Sequence, residues 1–229
     1  MRKLLIAVVV LIGLFVAADR ISLLVAERQA SKTIQTTFSL PQRPGVSIHG
    51  FPFLTEVISG QYQQVDVSVG SLMRNNVPVQ NLDAQFTAVH APFRQMLFGG
   101  SGSSTVSADQ ATGTATVPYS AVNQQLPNGV TVSGNGSALK MSGTMSFLGR
   151  QVPFSATAAV SATGTGIKIS PSHITLDGQS GVPASALGPM TVTVPVSNLP
   201  MHLSVNSAQP TPTGLQIAVS AQNVQVEGP

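Results

Sequence analysis

Leu139-Lys140-Met141-Ser142-Gly143-Thr144-Met145-Ser146-Phe147, followed across Leu148-Gly149-Arg150-Gln151 by Val152-Pro153-Phe154-Ser155-Ala156-Thr157-Ala158-Ala159-Val160, alternates apolar and polar residues on both sides of a short break. Successive side chains of a strand point to opposite faces, so a period of two marks a strand with one buried face. Two such runs mirrored about a glycine-containing tip predict one long antiparallel hairpin over residues 137–162. The same period runs through Val65, Val67 and Val69 and through Leu82, Ala84, Phe86 and Ala88. Met201, Leu203 and Val205, joined through Pro210 and Pro212 to Leu215, Ile217 and Val219, predict a second hairpin.

Helical spacing is confined to a few places. Leu23, Ala26, Ala30 and Ile34 predict an amphipathic helix from Asp19 to about Thr37, ended by Pro41 and Pro44. Asp19 stands where it would N-cap that helix if the residues before it were removed. In Phe51-Pro52-Phe53-Leu54-Thr55-Glu56-Val57-Ile58-Ser59-Gly60, Pro52 suits a first turn and Gly60 a left-handed C-terminal cap, with Leu54, Val57 and Ile58 on one face. A further short helix is expected at Ser120 to Leu126. The fold class read from this pattern is α+β, mostly β: a long antiparallel sheet whose apolar face is covered by the helix at 19–37. No Pro/Gly/Ser linker separates independent halves, so residues 19–229 read as a single domain. A curved sheet around a helix leaves an apolar trough where the helix does not reach, and a filled core is the other outcome the same pattern allows.

Upstream, Met1-Arg2-Lys3 precedes an unbroken apolar run from Leu4 to Ala18, then Asp19-Arg20. A basic tip, an apolar core and the small residues Val16-Ala17-Ala18 read as an export signal or a membrane anchor over residues 1–18. The run is shorter than the roughly 20 residues of a comfortable span, but apolar residues resume at Ile21 to Ala26. Processing near Ala18 and retention as a tilted anchor therefore both remain open, and either places the protein outside the cytoplasm.

Charged residues are only 8% of the chain, against about 25% in an average protein. The surface must then be Ser, Thr, Asn, Gln and Gly, as suits a cell-envelope or periplasmic protein. Eleven Lys and Arg include Arg2 and Lys3, so without the leader nine basic residues face eight acidic ones. That balance gives no electrostatic footprint for nucleic acid. The absence of Cys removes disulfides, thiol nucleophiles and Cys-ligated zinc. His49, His90, His173 and His202 are widely spaced with no acidic cluster beside them, so neither a metal nor another cofactor is expected. There is no Gly-x-Ser-x-Gly elbow, and the acidic residues are too scattered to name a carboxylate pair. The chain does not read as an enzyme.

Three stretches resemble the LmeA-like phospholipid-binding family of actinobacterial cell-envelope proteins. They are Asp19-Arg20 with the helix after an apolar segment; Val46-Ser47-Ile48-His49-Gly50-Phe51-Pro52-Phe53-Leu54 with Gly60 and Val65-Asp66-Val67; and Ala111 to Tyr119 leading into Asn123. Phe147 to Pro153, Gly214-Leu215-Gln216-Ile217 and Asn223-Val224 add to the likeness, which covers nearly the whole chain in order. The resemblance implies an exported protein that binds anionic phospholipid, phosphoinositide included, and supports the maturation of envelope glycolipids of the lipomannan type. It also implies a fold similar to the tubular lipid-binding (TULIP, BPI-like) proteins, with a curved sheet wrapped around an amphipathic helix. The Gly/Ser-rich, charge-poor loop at Gly99 to Ser104 departs from that likeness where headgroup preference is concerned.

Joined to the alternation, the resemblance points to Phe86, Met141, Met145, Phe154 and Leu203 as the lining of an acyl-chain groove. Met96, Leu97 and Phe98 beside Arg94, and Phe147 beside Arg150 at a hairpin tip, pair apolar side chains with one cation, as a membrane-touching loop does. Arg94, Arg150 and His49 are the candidates to meet headgroup phosphate; closure of the core by Met96 to Phe98, and an ordinary loop role for His49, are the plainer readings. The expected partners are phospholipid or glycolipid and a membrane surface. The competing function, a structural or carbohydrate-binding envelope module without lipid, lacks aromatic platforms, since the chain has no Trp and two Tyr.

Overall fold

Val205 hydrogen-bonds through its backbone N–H to the carbonyl of Gly164 at 2.9 Å, an isolated antiparallel bridge between strand β11 (Ser204–Pro210) and the chain just past the end of strand β7 (Arg150–Ala162). The computed structural model describes residues 1–74, 77–91, 105–126, 129–136, 138–147, 150–164, 166–176, 179–180, 192–195 and 203–227. Its elements in chain order are α1 (Arg2–Thr37), β1 (Gly45–His49), α2 (Phe53–Ser59), β2 (Gln61–Arg74), β3 (Val77–His90), β4 (Thr105–Pro118) and α3 (Tyr119–Gln124). They continue with β5 (Val130–Asn135), β6 (Ala138–Phe147), β7 (Arg150–Ala162), β8 (Gly166–Leu176), β9 (Gln179–Ser180), β10 (Val192–Pro195), β11 (Ser204–Pro210) and β12 (Gly214–Glu227). One sheet has the order β1-β2-β3-β4-β12-β11; the other runs β10-β8-β7-β6-β5, with β9 on β8. The mostly-β, α+β class read from the sequence is the class observed.

The chain forms two compact units, one of Met1–Gly70, Asp83–Thr112 and Ala221–Pro229, the other of Ser71–Leu82 and Gly113–Ser220. In the first unit α1 and α2 cover the sheet. Ala26 of α1 and Phe53 of α2 are buried with Ile48, Tyr62, Val89, Ala91 and Ala108, and Leu23, Val57 and Phe86 pack around them half-buried. Glu27 accepts the backbone N–H of Ile48 at 3.0 Å, and Ser31 donates its hydroxyl to the carbonyl of Pro44 at 2.7 Å, so polar groups as well as packing tie α1 to β1.

The second unit is built on the hairpin from which the fold was read. Met141 pairs with Ala156, Gly143 with Phe154, Met145 with Val152 and Phe147 with Arg150, so the predicted hairpin forms, with β7 already begun at Arg150 inside the break expected at Leu148 to Gln151. The β11–β12 hairpin pairs Val205 with Val219 and Ala208 with Ile217. Leu139, Met141, Phe154, Ile169 and Ile174 from one sheet and Val205, Leu215 and Ile217 from the other bury into a common core, closed by Val122 and Leu126 at α3. Leu139 and Ile169 are fully buried, each worth roughly 2 kcal/mol of transfer from water.

Helix α1 is unbroken through residue 19 in the full-length chain, because Ala17-Ala18 and their neighbours favour helix, and the N-cap role expected of Asp19 belongs to a chain cut before it. Helix α2 forms as expected, with Gly60 as its left-handed cap at φ 70°, but it turns a different face inward. Phe53 and Glu56 are buried, Leu54 and Val57 are half-buried, and Ile58 is 82% exposed. The large Phe53 ring, lying 6.3 Å from Tyr62, decides which side of this two-turn helix faces the sheet.

Candidate functional site

Every residue of α1 from Arg2 to Ala18 is exposed, although the run from Leu4 is apolar. This helix is long and apolar enough to cross a membrane. At Asp19 the character of the helix changes within one residue: that side chain is fully buried, and its Oδ1 accepts the backbone N–H of Leu54 at 2.9 Å. Leu54 is the second residue of α2, whose N-terminal donors need an acceptor that Pro52 at the cap position lacks. Asp19 supplies it from a different helix. The Arg20 guanidinium lies 4.9 Å from the centre of the exposed Phe51 ring, and its Nε is 3.7 Å from the other Asp19 oxygen. The end of the apolar segment is thus locked to the start of α2.

A second carboxylate lies under α2. Glu56 is buried against Gly50, and a Cβ at position 50 would overlap its carboxyl group. Burial pushes the Glu56 carboxyl above its ordinary 4.5; the Gln63 backbone N–H opposes this and the charge of Asp19 adds to it. Burial, and then the charge of Glu56, push the Tyr62 phenol up to about 12. A carboxyl whose folded pKa is raised binds its proton more tightly when folded. Its stabilising contribution is complete below pH 4.5 and is lost as pH rises through the raised folded value. Glu56→Gln is therefore expected to raise the melting temperature at neutral pH and to flatten the decline in stability from pH 4.5 upward. Thermal melts of both proteins across that range check it.

The residues expected to bind lipid fall in different places. Met141 and Phe154 are 1% and 4% exposed, inside the core of the second unit. A Cβ on Gly143 would meet the Gly129 carbonyl and, at 3.1 Å, the Phe154 ring, so Phe154 fills the space over Gly143. Phe86 belongs to the core of the first unit, and Leu203 is half-buried just before β11. Phe86 thus lies in the first unit and Met141 and Phe154 in the second. Met145 and Phe147 hold their backbone register, and their side chains lie outside the described residues, as do Arg94, Met96, Leu97, Phe98, Met201 and His202. Arg150 is exposed at the first position of β7. His49 is exposed on β1, with its Nε2 2.8 Å from Asp66, which also accepts from Gln64 at 2.9 Å.

Residues carrying the family likeness hold structure together. Asn123 donates to the Val132 carbonyl at 3.2 Å and accepts the Val132 N–H at 2.7 Å, so its amide stands in for a strand neighbour at the edge of β5. The Tyr119 hydroxyl donates to the Thr211 carbonyl at 2.7 Å, across a separation of 92 residues. Sequence reasoning missed the roles of Asp19 and Glu56. The usable signal was a proline at the head of α2, which cannot satisfy that helix's free N–H groups and so calls for an acceptor from elsewhere.

No curated protein and no solved structure matches the chain. Residues 17–220, from the end of the apolar segment through β11 and into β12, match a family profile over nearly the full length, and the chain belongs to the LmeA-like phospholipid-binding family.

Proposed function

We propose that this chain is an exported phospholipid-binding protein of the cell envelope, held at the membrane by α1, with a binding or transfer role rather than a catalytic one. The observation that carries the reading is the joining, in one chain, of membership in a phospholipid-binding family to a helix whose residues 2–18 are all exposed. An exposed apolar helix of that length costs free energy in water at about 25 cal/mol per Å2 and recovers it in a bilayer. Anionic phospholipid, phosphoinositide included, is the proposed ligand, and maturation of envelope glycolipid of the lipomannan type the proposed setting. Arg150 at the hairpin tip, Arg94 and His49 are the proposed phosphate contacts; His49 would have to exchange Asp66 for the phosphate.

The apolar face of the β6–β7 hairpin is the proposed seat of the acyl chain, through Met141, Met145, Phe147 and Phe154. Because Met141 and Phe154 are packed among core side chains, a chain entering there displaces side chains rather than filling an open channel. Native mass spectrometry of protein purified without detergent, then incubated with vesicles of anionic phospholipid, is expected to show a bound phospholipid mass. Met145→Trp is expected to reduce the lipid carried per protein. Protein that stays bare after incubation would sink the reading and favour an envelope module without a lipid ligand.

A further inference from the structure

The apolar surface of α1 ends at different heights on its two sides. On the docked side it stops at Ala18, since Asp19, Leu23, Ala26, Glu27 and Ala30 turn toward the first unit. On the opposite side Ile21, Leu24 and Val25 are 63%, 51% and 60% exposed, at the spacing that puts them on one helix face, and Arg28 follows one turn later. Leu4 to Ala18 alone reaches about 22 Å at 1.5 Å per residue, short of a hydrocarbon core of about 30 Å. Continued along the outer face to Val25, the apolar stripe reaches about 33 Å.

We infer that the outer face of the docked part of α1 is a second membrane-contact surface, and that it brings the head of α2 down to the lipid headgroups. This rests on the reading of α1 as a retained anchor. Ile21, Leu24 and Val25 complete the span on the lipid side, and Arg28 meets phosphate where the stripe ends. On the protein side, Asp19, which lipid would reject, is fully buried with its Oδ1 on the Leu54 N–H. Phe51, 56% exposed, lies under the Arg20 guanidinium, whose side chain is 47% exposed. An aromatic ring with a cation over it suits the boundary of acyl chain and headgroup. The occupant of this surface is the bilayer itself, because the stripe is continuous with the apolar helix that enters it.

The chain has no Trp, so single reporters are unambiguous. Leu11→Trp, Val25→Trp, Phe51→Trp and Phe38→Trp are each reconstituted, full length, in vesicles of phosphatidylcholine brominated either near the headgroup or near the chain end. Leu11→Trp is expected to lose most of its emission to bromines deep in the chain. Val25→Trp and Phe51→Trp are expected to lose theirs to bromines near the headgroup, with a blue-shifted maximum. Phe38, at the far end of α1 and 61% exposed, should give a reporter that emits as in water. Emission from positions 25 and 51 as water-like as from position 38, with position 11 quenched, overturns the inference and leaves the anchor standing. An unquenched position 11 overturns both, and equal quenching at position 38 overturns the inference by showing contact without orientation.

Discussion

Gly214→Val is expected to cost more stability than any other single substitution considered for the second unit, about 3 kcal/mol or more by the scale of overpacked cores. A Cβ at position 214 would overlap the Val117 carbonyl oxygen and stand 2.8 Å from its carbon and 3.0 Å from Cα of Pro118. All three atoms are backbone, so no side chain can swing aside. The surrounding turn is also fixed: Thr211 donates both its N–H, at 2.8 Å, and its hydroxyl, at 2.7 Å, to the Gly214 carbonyl, while the Tyr119 hydroxyl holds the Thr211 carbonyl. These bonds hold the turn as one piece, and moving it away from the end of β4 would break the Tyr119–Thr211 bond. A thermal or denaturant melt showing a loss below 1 kcal/mol would mean that the end of β4 gives way more readily than its contacts indicate.

Leu11→Arg is expected to produce the largest change in membrane association. Residue 11 is 69% exposed near the middle of the apolar segment and touches nothing that the folded units need. An arginine at the centre of a spanning helix costs about 3 kcal/mol on insertion scales, or roughly a hundredfold in partition. Purified full-length protein mixed with phospholipid vesicles should float with them, and the Leu11→Arg variant should remain below. The melting curve of the folded units should be unchanged, which separates loss of anchoring from loss of fold. Equal flotation of the two proteins would show that the apolar segment does not hold the chain to lipid.

The hairpin at 137–162 was legible in the sequence as a hairpin with one inward face, because a period of two admits only one, but not in its register: Arg150, read as part of the break, pairs with Phe147 at the start of β7. Helix α2 was legible in its ends, since Pro52 and Gly60 act locally, but not in its buried face. A helix of seven residues carries too few side chains for its apolar pattern to fix rotation, and the fit of Phe53 against Tyr62 decides it. The candidate site was less legible still. Alternation identifies Met141 and Phe154 as inward but cannot say whether lipid or protein lies opposite, because that depends on strands more than 40 residues away in the chain. The bond from Asp19 to the head of α2 was not legible: capping rules are local, and this carboxylate reaches 35 residues ahead.

That reach sets a limit on how the chain can be shortened. Any truncated form intended for work without detergent that begins at Arg20 or later discards the acceptor for the Leu54 N–H along with the anchor, and releases the head of α2 from α1. A form beginning at Asp19 sheds the whole apolar segment and keeps the hydrogen bond. The small residues Val16-Ala17-Ala18 end at that boundary, so processing after Ala18 would spare the fold by a margin of one residue.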